Sequence, residues 1–164
     1  MFITIFYLAS LIAANLILTR LGPDYAPLVS FIFIGLDLTL RDVLHEKWHN
    51  RNLFRNMTVL IFAGSVLSAL LNSASSQIAL ASFIAFLAAG IVDTLVYNKF
   101  FDRNFITKIN VSNIAASVVD SFLFITIAFG GFMPLIIGGQ IIAKISGGFM
   151  WGVLLDYIRR KRGH

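Results

Sequence analysis

Apolar stretches of membrane-crossing length alternate with short polar gaps along this chain, and the basic residues crowd into every second gap. Arg41, Lys47, Arg51 and Arg55 share one gap, and Lys99, Arg103 and Lys108 share another. Arg159, Arg160, Lys161 and Arg162 follow the last stretch. These are eleven of the thirteen bases; Arg20 sits in another gap and Lys144 inside an apolar stretch. Cytoplasmic loops retain Lys and Arg. The pattern predicts an all-α, polytopic membrane protein of six transmembrane helices with both termini in the cytoplasm. Composition agrees: a 164-residue chain that is 58% hydrophobic has too small an interior to hide that surface from water, so the bilayer must be its solvent.

The predicted spans cover residues 1–19, 27–44, 57–71, 77–97, 111–129 and 135–158, most of them near the roughly 20 residues a crossing needs. Gly22-Pro23, the turn at Asn72 to Ser76, and Gly130-Gly131 with Pro134 break the apolar runs. The third span is short and is expected to borrow the preceding residues as an interfacial turn. The first run has no basic segment before it and reads as a span rather than a cleaved signal peptide. The loops leave no room for an extramembrane domain, so residues 1–164 form one bundle. Two halves of three spans would have opposite orientation, and Asp37 and Asp120 fall on the middle helix of each, which hints at an inverted repeat. The pI of 9.9 reflects the cytoplasmic face and its anionic headgroups rather than a nucleic-acid partner. Without cysteine there is no disulfide, thiol nucleophile or thiolate metal site.

Asp93, Asp120 and Lys144 lie within apolar spans, with Asp37 and Arg41 toward the end of one. Each charge at the bilayer centre costs about 2.5–3.5 kcal/mol even on lenient scales, and such groups commonly mark substrate or ion pathways. The plain alternative is an internal ion-pair set that fixes packing. Asp37 and Arg41, four apart, share a helix face and could neutralise each other. Asn113, Ser117 and Asp120 form one stripe, Gln140, Lys144, Gly147, Gly148 and Trp151 a second, and Phe86, Gly90, Asp93 and Tyr97 a third. The glycines alone mean close helix packing. A carboxylate, an amide and an aromatic on one face suggest a wetted or ligand-lined cavity. Asp120 and Lys144 both fall mid-span and could meet. Paired, they remain charged; unpaired, burial would favour the neutral forms.

One motif points elsewhere. His45-Glu46-Lys47-Trp48-His49 matches HExxH, which on a helix turns two histidines to one side for zinc, with the glutamate as base. A third ligand would have to come from Asp93, Asp102 or His164, none in a recognisable setting. The simpler reading of His45, Glu46 and His49 is a solvated cytoplasmic helix end.

Several stretches resemble the YhhQ-like, or VUT, family of queuosine precursor transporters. FIFIGLDLTLRD, with Asp37 and Arg41, is similar to the family's second span, and GIVDTLVYNKF, with Asp93, to its fourth. NIAASVVDSFLFITIAF, with Asp120, resembles the fifth, and AKISGGFMWGVLLDYI, with Lys144, the sixth. Asn15 in AAN is similar to a first-span asparagine. The pieces fall in order over most of the chain. The resemblance implies uptake of 7-cyano- or 7-aminomethyl-7-deazaguanine for making queuosine in tRNA. Such a base presents adjacent N–H donors that one carboxylate can accept in a fork. Asp37, Asp93 and Asp120 are the candidates, Asp120 foremost. Asn113 and Gln140 suit the remaining polar edge, and Phe or Trp faces, Trp151 among them, can stack on the ring.

The function this predicts is alternating access around a midplane site, with proton coupling through an aspartate as one candidate energy source. The expected partners are the 7-deazaguanine base, the bilayer and, as an open option, further copies of the chain. No cofactor, resident metal, nucleic acid or enzymatic step is expected. The alternatives are a substrate-capture subunit of an ATP-driven complex, since no ATP-binding motif is present, an intramembrane zinc protease built on HEKWH, and a structural or pore-forming membrane protein.

Overall fold

The computed structural model describes residues 2–37, 40, 44, 53–100 and 105–161. Among them all the regular structure is helical. Helix α1 (Phe2–Leu21) contains no Gly or Pro. It stops at Gly22, whose φ of 82° and ψ of −175° lie in a region essentially confined to glycine. The Gly22 N–H closes the last turn on the Leu18 carbonyl at 2.9 Å. A short 3-10 turn (Pro23–Tyr25) leads into α2 (Ala26–Val29), with Pro27 in its first turn, where a missing N–H is tolerated. The helix widens into a π turn over Ser30–Ile34 and continues as α-helix through residue 37.

Helix α3 (Leu53–Leu71) ends at Asn72, whose side chain accepts the Ala74 N–H at 3.1 Å. Helix α4 (Ser76–Lys99) follows. Helix α5 (Phe105–Phe129) ends at Gly130, with φ 69°, and Pro134 opens α6 (Pro134–Lys161). The described residues of the predicted spans are helical. The third needs no interfacial turn, because α3 itself starts at Leu53 and gains its length there.

Phe2–Leu21, Ser73–Asp93 and Val111–Phe129 are long and apolar enough to cross a membrane, and Arg55–Leu71 is a shorter apolar helix. The radial distribution says what solvent they meet. Leu135 is 90% exposed, and Phe2, Leu70, Ile142 and Phe149 also point outward. Inside lie Asn15, Asp37, Asp120, Gln140, Lys144 and a set of serines. Apolar outside and polar inside is the arrangement expected when hydrocarbon is the solvent.

Point contacts fix the helix directions. Gln77 reaches the Ile127 carbonyl, so α4 and α5 are antiparallel. Lys144 meets Asp120, which with the tight turn before Pro134 sets α6 antiparallel to α5. Gly139 lies against Pro27, and Gly147 against Phe31 and Gly35, so α6 runs parallel to the second helix. The glycines permit this approach: a Cβ built on Gly147 would stand 2.3 Å from the Phe31 carbonyl oxygen, and one on Gly35 2.6 Å from the Gly147 carbonyl carbon. Trp151 then donates its indole N–H to the Ile32 carbonyl at 2.9 Å, giving a partner to a backbone oxygen inside the π turn.

Two apolar clusters stack along the bundle. One gathers Ala14, Leu18, Val29, Ala85, Phe124 and Ile137 near the short turns. The other gathers Tyr7, Leu11, Leu40, Leu44, Met57 and Phe86.

Candidate functional site

Asp120 on α5 and Lys144 on α6 form a buried ion pair, Nζ against Oδ2, with side chains 11% and 3% exposed. The Lys144 ammonium also donates to Ser121 Oγ at 3.0 Å. Two charges removed from water need each other's field and further hydrogen bonds to offset the loss of hydration, and Ser121 supplies one. The pair that the sequence allowed is thus made.

Gln140 lies one turn before Lys144 on α6, so both face the same way. It is 1% exposed, and its Oε1 has no hydrogen-bond partner among the described residues. Ser30, the first residue of the π turn, is fully buried, and its hydroxyl is likewise without a partner. Asn15 is partnered at both ends of its amide. Its amide donates to Ser68 Oγ at 3.2 Å and its carbonyl accepts the Ser82 hydroxyl at 2.6 Å, tying α1 to α3 and α4.

These groups line one cavity: Asn15, Ser30, Ser82, Asp120, Gln140 and Lys144 supply its polar side, and Phe86 and Phe124 its two aromatic walls. The cavity itself measures about 20 Å³, room for a water molecule but not for a base-sized ligand unless its walls part. A mostly apolar recess with a few convergent polar groups is the usual form of a small-molecule site.

The cavity takes some of the expected residues and leaves others out. Asn15, Asp120, Gln140 and Lys144 converge. Asp37 is buried but does not line the cavity; its Oδ1 accepts the Ser10 hydroxyl at 3.2 Å. Asp93 is half-buried on α4, with Oδ1 enclosed and unpartnered among the described residues, away from the cavity. Asn113 is exposed on α5. Trp151 is committed to the Ile32 carbonyl rather than to the cavity. Arg41 and the HEKWH residues His45, Glu46 and His49 lie outside the described residues, as do Asp102 and His164. Among the described residues no acidic and histidine cluster could hold a metal.

The separation has a simple cause. Phe86 and Asp93, Asp120 and Asn113, and Lys144 and Trp151 are each seven residues apart. At 1.5 Å rise per residue that is about 10 Å of depth. Each stripe names a shared face, but only one end of each reaches the cavity. Ser30, Ser82 and Phe124 were missing from the sequence-based set. Ser30 had a signal, since it is the sole polar side chain between Pro27 and Gly35.

A family model described as "Putative vitamin uptake transporter" matches residues 2–158, nearly the whole chain. The chain belongs to this family, the VUT family. No curated protein and no solved structure matches it. VUT membership and the outward-facing apolar helices agree that this is a membrane protein of a transporter family, and the family resemblance seen in the sequence is borne out. The match covers both walls of the cavity, since Asn15, Ser30, Phe86, Asp120, Gln140 and Lys144 all fall inside it.

Proposed function

We propose that this VUT protein is a multi-pass carrier of the bacterial cytoplasmic membrane that imports a 7-deazaguanine base, 7-cyano- or 7-aminomethyl-7-deazaguanine. It works by alternating access around the Asp120–Lys144 cavity, with both termini in the cytoplasm. The observation that carries this reading is a polar, partly unsatisfied cavity whose lining includes two phenyl rings, inside a bundle whose exterior is apolar. Once the helices part to enlarge the cavity, a flat heteroaromatic base meets those requirements: its faces can stack on Phe86 or Phe124, and its N–H groups reach carboxylate and amide oxygens. Uptake is supported by the family. The deazaguanine class is supported by the motifs around Asp37, Asp93, Asp120 and Lys144.

Asp120 is the favoured base reader. Its Oδ2 holds Lys144, so a two-pronged contact to the ligand needs Lys144 to swing away, and Ser121 Oγ is placed to keep the ammonium partnered. Exchange of Lys144 for ligand N–H groups on one carboxylate would link occupancy to the α5–α6 contact. That is the kind of differential interaction a conformational change requires.

The test is queuosine in tRNA, measured in a bacterium lacking both precursor synthesis and its own importer. This chain is expressed there with trace 7-cyano-7-deazaguanine in the medium. Restored queuosine is expected. Its absence, with the protein shown in the membrane, overturns the assigned cargo.

A further inference from the structure

We propose that Ser30 Oγ and Gln140 Oε1 are specificity-determining ligand contacts, and that together they select an uncharged ligand edge carrying N–H donors. This rests on the cavity being the cargo site. It adds which atoms read the cargo and what charge the cargo has.

Three helical Ser or Thr hydroxyls, on Ser30, Ser65 and Thr126, are buried without a partner among the described residues, and of these only Ser30 lines the cavity. A hydroxyl inside a helix normally folds back onto the carbonyl three or four residues earlier. Ser68 does so onto Gly64, Ser146 onto Ile142, and Thr19 onto Asn15. Ser30 has the same option on α2 and does not take it; its hydroxyl stays fully buried and unpartnered while lining the cavity. It sits where the helix widens into the π turn, a local distortion frequently found at functional sites. Gln140 faces the same space from α6. The contact of Gly139 with Pro27 sets this part of α6 at the level of Ser30.

Native interiors leave few polar atoms without partners, and each exception calls for a reason. Two exceptions on one cavity, from two parallel helices, share a reason if a ligand completes both. A glutamine Oε1 accepts only, so the ligand must offer a donor there; the serine hydroxyl can accept from or donate to its neighbour.

Charge fixes the rest. Asp120 and Lys144 contribute no net charge, whether paired or with the ammonium shifted onto Ser121, and no other charged side chain lines the cavity among the described residues. A charged cargo would enter with no counter-charge in surroundings of low polarity, which is strongly unfavourable. A neutral one loses only its hydrogen bonds to water, which Ser30 and Gln140 replace.

The experiment uses the purified full-length chain in lipid nanodiscs, with Ser30→Ala and Gln140→Met. Unliganded thermal stability is read first, then the Kd for 7-cyano-7-deazaguanine. Because neither atom has a partner among the described residues, both variants should unfold at or above the wild-type temperature. Each should bind about tenfold more weakly, the equivalent of one hydrogen bond of about 1.4 kcal/mol. Gln140→Glu gives the cavity an uncompensated negative charge. It should shift the ratio of affinities toward the cationic 7-aminomethyl base by about tenfold or more. Lower unliganded stability with an unchanged Kd in Ser30→Ala and Gln140→Met would make both residues structural and overturn the inference. An unchanged affinity ratio in Gln140→Glu would overturn the charge argument. Wild-type protein that fails to bind 7-cyano-7-deazaguanine would instead overturn the cargo reading, and this inference with it.

Discussion

Neutralising Asp120 should damage the fold more than neutralising Asp120 and Lys144 together. The Lys144 ammonium, 3% exposed, has two partners, Asp120 Oδ2 and Ser121 Oγ. In Asp120→Asn it keeps a hydroxyl and an amide but no counter-charge. Removing one member of a buried pair costs about 3–5 kcal/mol, and a lone charge at the centre of a spanning helix costs about 2.5–3.5 kcal/mol on insertion scales. The two estimates overlap near 3 kcal/mol, roughly a hundredfold in the folding equilibrium. Lys144→Met leaves the Asp120 carboxylate exposed to the same penalty. The double variant Asp120→Asn/Lys144→Met buries no charge. Replacing a buried pair by neutral groups is commonly neutral or stabilising by about 1–4 kcal/mol. Equilibrium unfolding in mixed micelles should therefore place the double variant near wild type and both single variants well below it. Uptake should separate from folding: Asp120→Asn and the double variant should both fail to restore queuosine, because the carboxylate that reads the base is gone. Additive losses in the double variant would refute the idea that the two charges hold each other. Full uptake by Asp120→Asn would remove Asp120 from the site.

Gly147→Ala should destabilise by about 1–3 kcal/mol or more, because its new Cβ meets the Phe31 backbone; thermal unfolding checks this, and wild-type stability would show that the helices separate freely. Asn15→Leu keeps the volume but deprives Ser68 and Ser82 of their shared partner, so a loss of about 1–3 kcal/mol is expected. From the loop charges, a reporter fused after His164 should be active in the cytoplasm, and an external signal would reverse the topology.

The polar residues of the spans show how far sequence reasoning reaches. Asp120, Gln140 and Lys144 were identifiable because charge and amide are costly in an apolar run, and three- and four-residue spacings gave their shared faces. The same spacings also enrolled Asn113, Asp93 and Trp151, which lie about two helical turns from the cavity. Helical periodicity reports angle around the axis. Depth along the bundle depends on how far one helix slides past another, and the close glycine contacts set that register for the second helix and α6. Asn15 was singled out by its similarity to the family's first-span asparagine. Its pairing with Ser68 and Ser82 comes from two helices far away in sequence, which no local pattern encodes.

By itself the sequence determined that the chain is helical, that hydrocarbon is its solvent and which family it belongs to. Those properties follow from composition, periodicity and local motifs, each legible one residue at a time. Tertiary structure alone decided that Asp120 and Lys144 are partners, that Asn15 is consumed as a clamp, and that Ser30 and Gln140 are left with unused hydrogen-bonding capacity on one cavity. Whether a polar atom is satisfied depends on what other helices bring within about 3 Å of it, and that is a property of packing, not of spacing.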